Sequence, residues 1–228
     1  MTNERWNVDL HSHTLWSKDC LTSFETIIRL CQKRGVDRIA ITDHNTAEGA
    51  LALQKIAPEL VIVGEEIMTN QGEILGYFLT ESVPAGLTPE ETIKRLRDQG
   101  AVISVSHPFD RYRKGAWEEA DLRRIMGLVD AIEVFNARCL RAEDNQRAAE
   151  FARHNGLIGT AGSDAHTAVE YGQAMTCLQP FHDAESFRQA LQTAEFVERL
   201  SPFYVHFGST YAKWMKKLGL KPRLWAGG

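Results

Sequence analysis

Short apolar runs alternating with helix-period segments constrain this chain more than any other feature of its sequence. Between residues 8 and 160, β-rich stretches fall at 7–11, 38–42, 60–67, 72–79, 101–106, 131–135 and 157–161, with amphipathic segments between them. Such alternation is the pattern of βα units around a parallel sheet or barrel. A chain of 228 residues fits one α/β barrel or one open α/β sheet better than two ordinary domains. The expectation is a single domain over 1–228, with a core at about 7–180 and a C-terminal extension at about 181–228.

Helix signals sit where the alternation requires them. Thr22-Ser-Phe-Glu25 has the Ser/Thr-x-x-Glu form of a capping box, leads into Ile27, Ile28, Leu30 and Cys31, and Gly35 is the stop. Thr88 followed by Pro89 opens a second helix that Gly100 closes, and residues 141–155 form a third, ended by Gly156. Beyond Gln179 the pattern changes. Residues 183–194 read as helix, 196–199 as an edge strand, and 203–218 as an amphipathic closing helix whose Lys213, Lys216 and Lys217 form a solvated basic face.

The strand ends carry an unusual chemical load. Asp9, His11 and His13 end the first run, and Asp43 and His44 the second. Glu65 and Glu66 lie in the third, His107 follows the fifth, Glu133 and Asn136 close the sixth, and Asp164 and His166 follow the seventh. In parallel α/β folds the C-terminal strand ends and the loops after them form the active face, so these groups are expected to meet. Asp164 and His166 repeat the two-residue spacing of His11 and His13. Imidazole and carboxylate without thiolate suit Zn, Mn or Fe, and the surplus of donors over one ion's needs argues for two or three divalent ions.

Composition narrows the setting. A net charge of −4 gives no sign of the broad basic surface that long nucleic acids favour. Cys20, Cys31, Cys139 and Cys177 are scattered, as expected of reduced thiols in a cytoplasmic protein. The N-terminal residues lack the apolar run of a signal peptide, and no later segment approaches membrane-spanning length.

In this order and spacing, Asp9-Leu-His-x-His13, Thr42-Asp-His44, Gly64-Glu-Glu-Ile67, Ser106-His-Pro108 and Gly162-Ser-Asp-Ala-His166 resemble the motifs of the PHP (polymerase and histidinol phosphatase) superfamily, over residues 7–170. The resemblance implies a distorted (β/α)7 barrel, a trinuclear metal centre and phosphoesterase chemistry. Carried over by motif, it implies that His11, His13, Glu66 and Asp164 hold a first metal, with Glu66 bridging to a second that His107 also binds. It places Asp19, His44 and His166 on a third. One position departs from the pattern: Glu73 stands where many members have histidine, and it is read as a replacement carboxylate ligand on the second metal.

Three divalent ions would exceed the charge of the carboxylates Asp19, Glu66, Glu73 and Asp164, leaving a site matched to a dianionic phosphate. The expected reaction is hydrolysis of a phosphate ester of a small metabolite or nucleotide by a metal-activated water. Asp9 and Asp43 are expected to orient the ligand histidines. Arg111 and Arg138 are expected to grip phosphate, with Asn136 orienting the ester and Arg113 less well placed. Ser12, Ser17 and Ser163 are assigned to turns or backbone hydrogen bonds, and His154, His182 and His206 to structural or exposed roles. Two other functions fit the same residues: a nuclease acting on single-stranded ends, or a non-catalytic metal-binding regulatory module.

Overall fold

The computed structural model describes residues 4–219. One mixed sheet forms a nearly closed barrel with helices around it. Its strands are β1 (Trp6–Asp9), β2 (Arg38–Ile41), β3 (Val61–Met68), β4 (Glu73–Tyr77), β5 (Val102–Val105), β6 (Ala131–Asn136), β7 (Ile158–Gly162), β8 (Ala174–Leu178) and β9 (Glu195–Glu198). Their order is β7-β6-β5-β4-β3-β2-β1-β8-β9. The first seven match the seven apolar runs, and β9 is the expected edge strand shifted by one residue. β8, antiparallel to β1, was not expected. Its five residues are apolar apart from Thr176 but too few to stand out as a run, and pairing on both sides by β1 and β9 makes them a strand.

The expected all-parallel order needs one correction. β4 runs antiparallel to both β3 and β5. Only residues 69–72 join β3 to β4, too few for the crossover that parallel strands need. Thr69 fixes this tight turn, its hydroxyl donating to the Gly72 carbonyl and accepting from the Gln71 and Gly72 amides. In consequence the start of β4 lies at the same rim as the ends of β3 and β5.

Closure occurs at that rim. The Asp164 amide donates to the His11 carbonyl and the His13 amide to the Ala165 carbonyl, tying the segments that follow β1 and β7. A Cβ on Gly162 would come within 2.4 Å of His11 Cβ, so only glycine lets the two approach.

Helices α1 (Phe24–Arg34), α2 (Glu48–Gln54), α3 (Pro89–Asp98), α4 (Glu119–Ile125) and α5 (Ala142–Asn155) belong to the barrel, followed by α6 (Ala184–Leu191) and α7 (Val205–Lys217). The first cap differs by one residue from the expected box: Ser23, not Thr22, accepts from the Thr26 amide. Thr88 and Pro89 start α3, and Gly35 and Gly156 end α1 and α5 in the left-handed conformation, as expected. No helix among the described residues is long and apolar enough to cross a membrane.

Strand alternation sorts the core into two shells. Ile39, Ile41, Val61, Val63, Ile103, Val105 and Ile132 pack outward with Ile27, Leu53, Leu96 and Phe151 of the helices. Val8, Leu10, Ala40, Ile62, Leu75, Tyr77 and Val102 form an inner shell with Phe181, Phe187 and Leu191. The polar residues on the inner register continue upward from this shell toward the rim.

Candidate metal centre

Glu66 shares its strand face with inner Ile62, and Glu73 shares its own with Leu75 and Tyr77. Glu65 has the opposite parity. It turns to the helix side, accepts the Val83 amide at 2.8 Å, and is pushed up to about 7 by burial. Alternation therefore separates the adjacent glutamates: one enters the cluster and the other does not.

At the rim, His11 Nε2 lies 3.3 Å from Glu66 and 3.6 Å from Asp164, and His13 Nε2 lies 3.5 Å and 3.1 Å from the same carboxylates. On one side, His107 Nε2 stands 3.0 Å from Glu66 and 3.5 Å from Glu73. On the other, His44 and His166 approach Asp19 at 3.5 and 3.3 Å, and their own Nε2 atoms are 3.4 Å apart. His44 Nδ1 reaches Glu66 at 2.9 Å, linking this group to the rest. The structure thus brings the nine residues expected as ligands together at one rim.

Several of these donors are oriented from behind. Glu133 takes His11 Nδ1 at 3.1 Å while also accepting the His107 amide. Ser17 donates to Asp43 at 2.5 Å and accepts His13 Nδ1 at 3.0 Å, so Asp43 acts on His13 through a hydroxyl. His166 Nδ1 donates to the Asp164 carbonyl, and Ser106 donates to Glu66. These bonds leave the Nε2 atoms of His11, His13 and His166 facing the cluster. Asp164 holds this position at φ 52°, a strained conformation for a non-glycine residue at the rim.

The donor set fits divalent cations. Buried polar atoms normally have partners. Here His11 Nε2, His13 Nε2, Asp19 Oδ1, Glu66 Oε2 and Asp164 Oδ1 are buried without a hydrogen bond, and all belong to the cluster. Geometry alone brings together His11, His13 and Glu66; His13, His44 and His166; and His44, Glu66 and Glu73. Burial, then the neighbouring His166 and His44 charges, hold His13 well below the usual imidazole range, so it stays neutral. Burial would raise the Glu66 carboxyl, but the His11 and His44 charges and the hydrogen bonds outweigh it and keep the group well below the usual range.

Other expected site residues take different places: Arg138 lines the cavity wall, Asn136 lies behind Asp164, and Asp9 and Arg111 point away from the donors. Asp9 accepts from the His11 amide, from Ser163 and from the Gly172 amide, so it ties the backbone of a ligand histidine to the segment after β7, and burial pushes it up to about 6. Arg111 is 62% exposed in its side chain and pairs with Asp144. Arg138 is buried against Glu170 and donates to Ser209. Asn136 is fully buried, its amide shared between Glu133 and Asp164. The arginine at the cluster is instead Arg113, bridging Asp110 at 3.0 Å and Asp164 at 2.5 Å. It lies in the irregular loop after β5, where arginine spacing carries no directional signal. The inward placement of Glu133 was legible from its parity opposite to outward-packed Ile132.

A cavity of about 910 Å³ opens over Asp19, His44, Glu73, Arg113 and His166. α7 forms one wall, with His206, Ser209, Thr210, Lys213, Lys216 and Lys217 lining the space. The basic face read as solvated is thus turned to the site: Lys213 reaches Asp19 at 3.3 Å, and Lys216 donates to the Leu15 and Ser17 carbonyls.

The family model for the PHP domain matches residues 9–74, and that described as PHP-associated matches residues 142–196. Uncharacterized protein MJ0417 of Methanocaldococcus jannaschii is 39% identical over 170 residues, 73% of this chain and 68% of that protein. A phosphoribosyl 1,2-cyclic phosphate 1,2-diphosphodiesterase of Eggerthella lenta is 34% identical over 86 residues, 34% of this chain and 32% of that protein. Among solved structures, PsfC from Pseudomonas syringae superposes with a TM-score of 0.70 at 21% identity, covering 93% of this chain and 99% of that one. A two-domain protein from Bacteroides vulgatus, containing a predicted PHP-like metal-dependent phosphoesterase, has a TM-score of 0.68 at 19% identity over 86% of this chain and 65% of that one. The PHP and PHP-associated models, with the 39% identity to MJ0417 over 170 residues, lead to one conclusion: the chain belongs to the PHP family.

Proposed function

We propose that this protein is a metal-dependent phosphoesterase that hydrolyses a phosphate ester of a small metabolite or nucleotide. The observation that carries this reading is the convergence of unpartnered donor atoms from His11, His13, Asp19, Glu66 and Asp164 in one cluster, whose edge residues Asp19, His44 and His166 line the cavity. In this reading His11, His13, Glu66 and Asp164 hold the first ion. Glu66, Glu73 and His107 hold the second, and Asp19, His44 and His166 the third. When bound, two or three divalent ions of Zn, Mn or Fe supply the Lewis acidity toward water and phosphoryl oxygen that such hydrolysis needs.

The protein's own groups then position the ester. Arg113, fixed between Asp110 and Asp164, presents guanidinium N–H groups to the cavity, where they bind phosphoryl oxygens. Glu133 and the Asp43–Ser17 pair keep His11 and His13 in one tautomer, so the ligand geometry is set before substrate arrives. The inner shell of Leu75, Tyr77 and Phe187 closes the barrel below the cluster, so access is from the rim. A cytoplasmic setting is supported by Cys20, Cys31, Cys139 and Cys177, all free thiols.

The nuclease reading has one observation in its favour: Phe207, Tyr211 and Trp214 are exposed on α7 beside its lysines, as in surfaces that stack single-stranded bases. A panel of phosphomonoesters and cyclic phosphodiesters against short single-stranded oligonucleotides, with Mn or Zn supplied, separates the two. Turnover of small esters is expected. Hydrolysis of oligonucleotides alone would replace the leading reading with the second, and hydrolysis of neither would overturn both.

A further inference from the structure

α7 lies beyond both segments matched by the family models, yet it walls the cavity over the ligand cluster. It is fastened there. Buried Arg138 pairs with Glu170 and donates to Ser209, Lys213 reaches Asp19, and Lys216 binds the carbonyls of Leu15 and Ser17. The lysines of this helix are therefore held at the mouth and not merely nearby.

The charge around the mouth opposes that of the molecule. A chain with formal net charge −4 lines this one cavity with Lys18, Arg113, Lys114, Arg138, Lys213, Lys216 and Lys217, against the carboxylates Asp19, Glu73 and Asp110. Asp19 and Glu73 belong to the proposed ligand set, and Asp110 is engaged by Arg113. One dianionic phosphoryl group would already be balanced by the ions and Arg113. Lys18, Lys114 and Lys217 remain, and among the described residues none of them makes a salt bridge. A concave surface with that surplus concentrates anions, and the scissile group alone does not account for it.

We propose that Lys217 and Lys114, with Lys18 lining the same cavity, form a second anion subsite, so that the substrate is a small phosphate ester bearing a second phosphate or carboxylate. This inference rests on the phosphoesterase reading for the identity of the first group. Spacing sets the size of the ligand. Lys213 touches the cluster through Asp19, and Lys217 lies one turn further along the same face of α7, about 5–6 Å between Cβ atoms. The two anionic groups are therefore separated by a short linker of about three carbons. A small ligand is favoured over a polymer because α7, anchored along its inner face, restricts the mouth.

The test uses the intact metal-loaded chain and two probes that cannot be hydrolysed, propane-1,3-bisphosphonate and propylphosphonate, titrated by calorimetry. The matching esters, propane-1,3-diol bisphosphate and propyl phosphate, are assayed in parallel. The bisphosphonate is expected to bind at least about tenfold tighter than the monophosphonate at low salt, an advantage that shrinks as salt rises. In the Lys114→Ala/Lys217→Ala variant the advantage disappears. Lys217→Glu, at an exposed position, gives the same loss should the double variant fold poorly. Equal affinity of wild type for both probes overturns the subsite. Tetrathymidylate binding tighter than the bisphosphonate, and losing that binding in the same variant, overturns the small-ligand assignment. A retained bisphosphonate advantage with neither ester hydrolysed leaves the subsite standing and rejects the phosphoesterase reading.

Discussion

His11, His13, Glu66 and Asp164 are fully buried, and each is braced by a further protein group: Glu133, Ser17, Ser106 and the pair of Asn136 with Arg113. Asp19, His44 and Glu73 stand at the cavity edge. Outside the cluster, and among the described residues, Asp19 pairs with half-exposed Lys213, His44 touches other members of the cluster, and Glu73 reaches His107 at 3.5 Å. The difference is one of preorganisation. Inner donors need not rearrange to accept an ion, whereas outer donors must be drawn in, so inner positions should hold metal more tightly than outer ones.

Glu66→Gln should have the largest effect, because its Oε1 faces His11 and His107 while its Oε2 faces His13 and His44. Two ions should be lost and hydrolysis should fall by more than about 100-fold, exceeding what loss of an orienting partner costs. Metal analysis with a steady-state assay reads both. Glu133→Gln comes next: weakening of the inner position by about 10–100-fold in metal titrations is expected, and unchanged affinity would break the contrast between braced and unbraced donors. Glu73→Gln should weaken one outer position by about tenfold and spare the inner one. Should Glu66→Gln and Glu73→Gln give equal, negligible changes, both glutamates have been misassigned.

The smallest effect concerns α7 and pH. Burial first, then the Arg138 cation, push His206 down to about 4. In the unfolded chain the same group titrates near 6.5, so between about 6.5 and 4 the unfolded state binds more protons and stability rises with pH. The contribution is complete above that window and is lost as pH falls through it. Thermal midpoints at pH 7 and pH 4.5 should drop further for wild type than for His206→Gln; identical drops would remove His206 from the account.

The sequence made the inner half of this contrast more legible than the outer. Apolar runs that end in His or Asp announce both a strand and the rim at which it stops, so His11, His13, Glu66 and Asp164 could be placed together without a structure, as could His44 of the outer group. Glu73 obeys a different rule. It starts a strand, and it reaches the rim because the four-residue turn at 69–72 reverses β4. Alternation also explains why Glu66 enters and Glu65 does not. What pattern could not reach were loop and long-range placements. Arg113 is favoured over Arg111 by the path of the loop after β5, and Asp9 is turned away by Ser163 and Gly172. The basic stripe of α7 was visible at its helical spacing, but which way it faced depended on the docking of Arg138 and Ser209, about seventy residues apart.

Metal content of the purified chain, measured beside His11→Ala, tests the central claim most directly. The account predicts two or three tightly bound divalent ions per chain in wild type, with fewer ions and no measurable ester hydrolysis in His11→Ala. Fewer than one ion per chain, together with hydrolysis unchanged by His11→Ala, would contradict it.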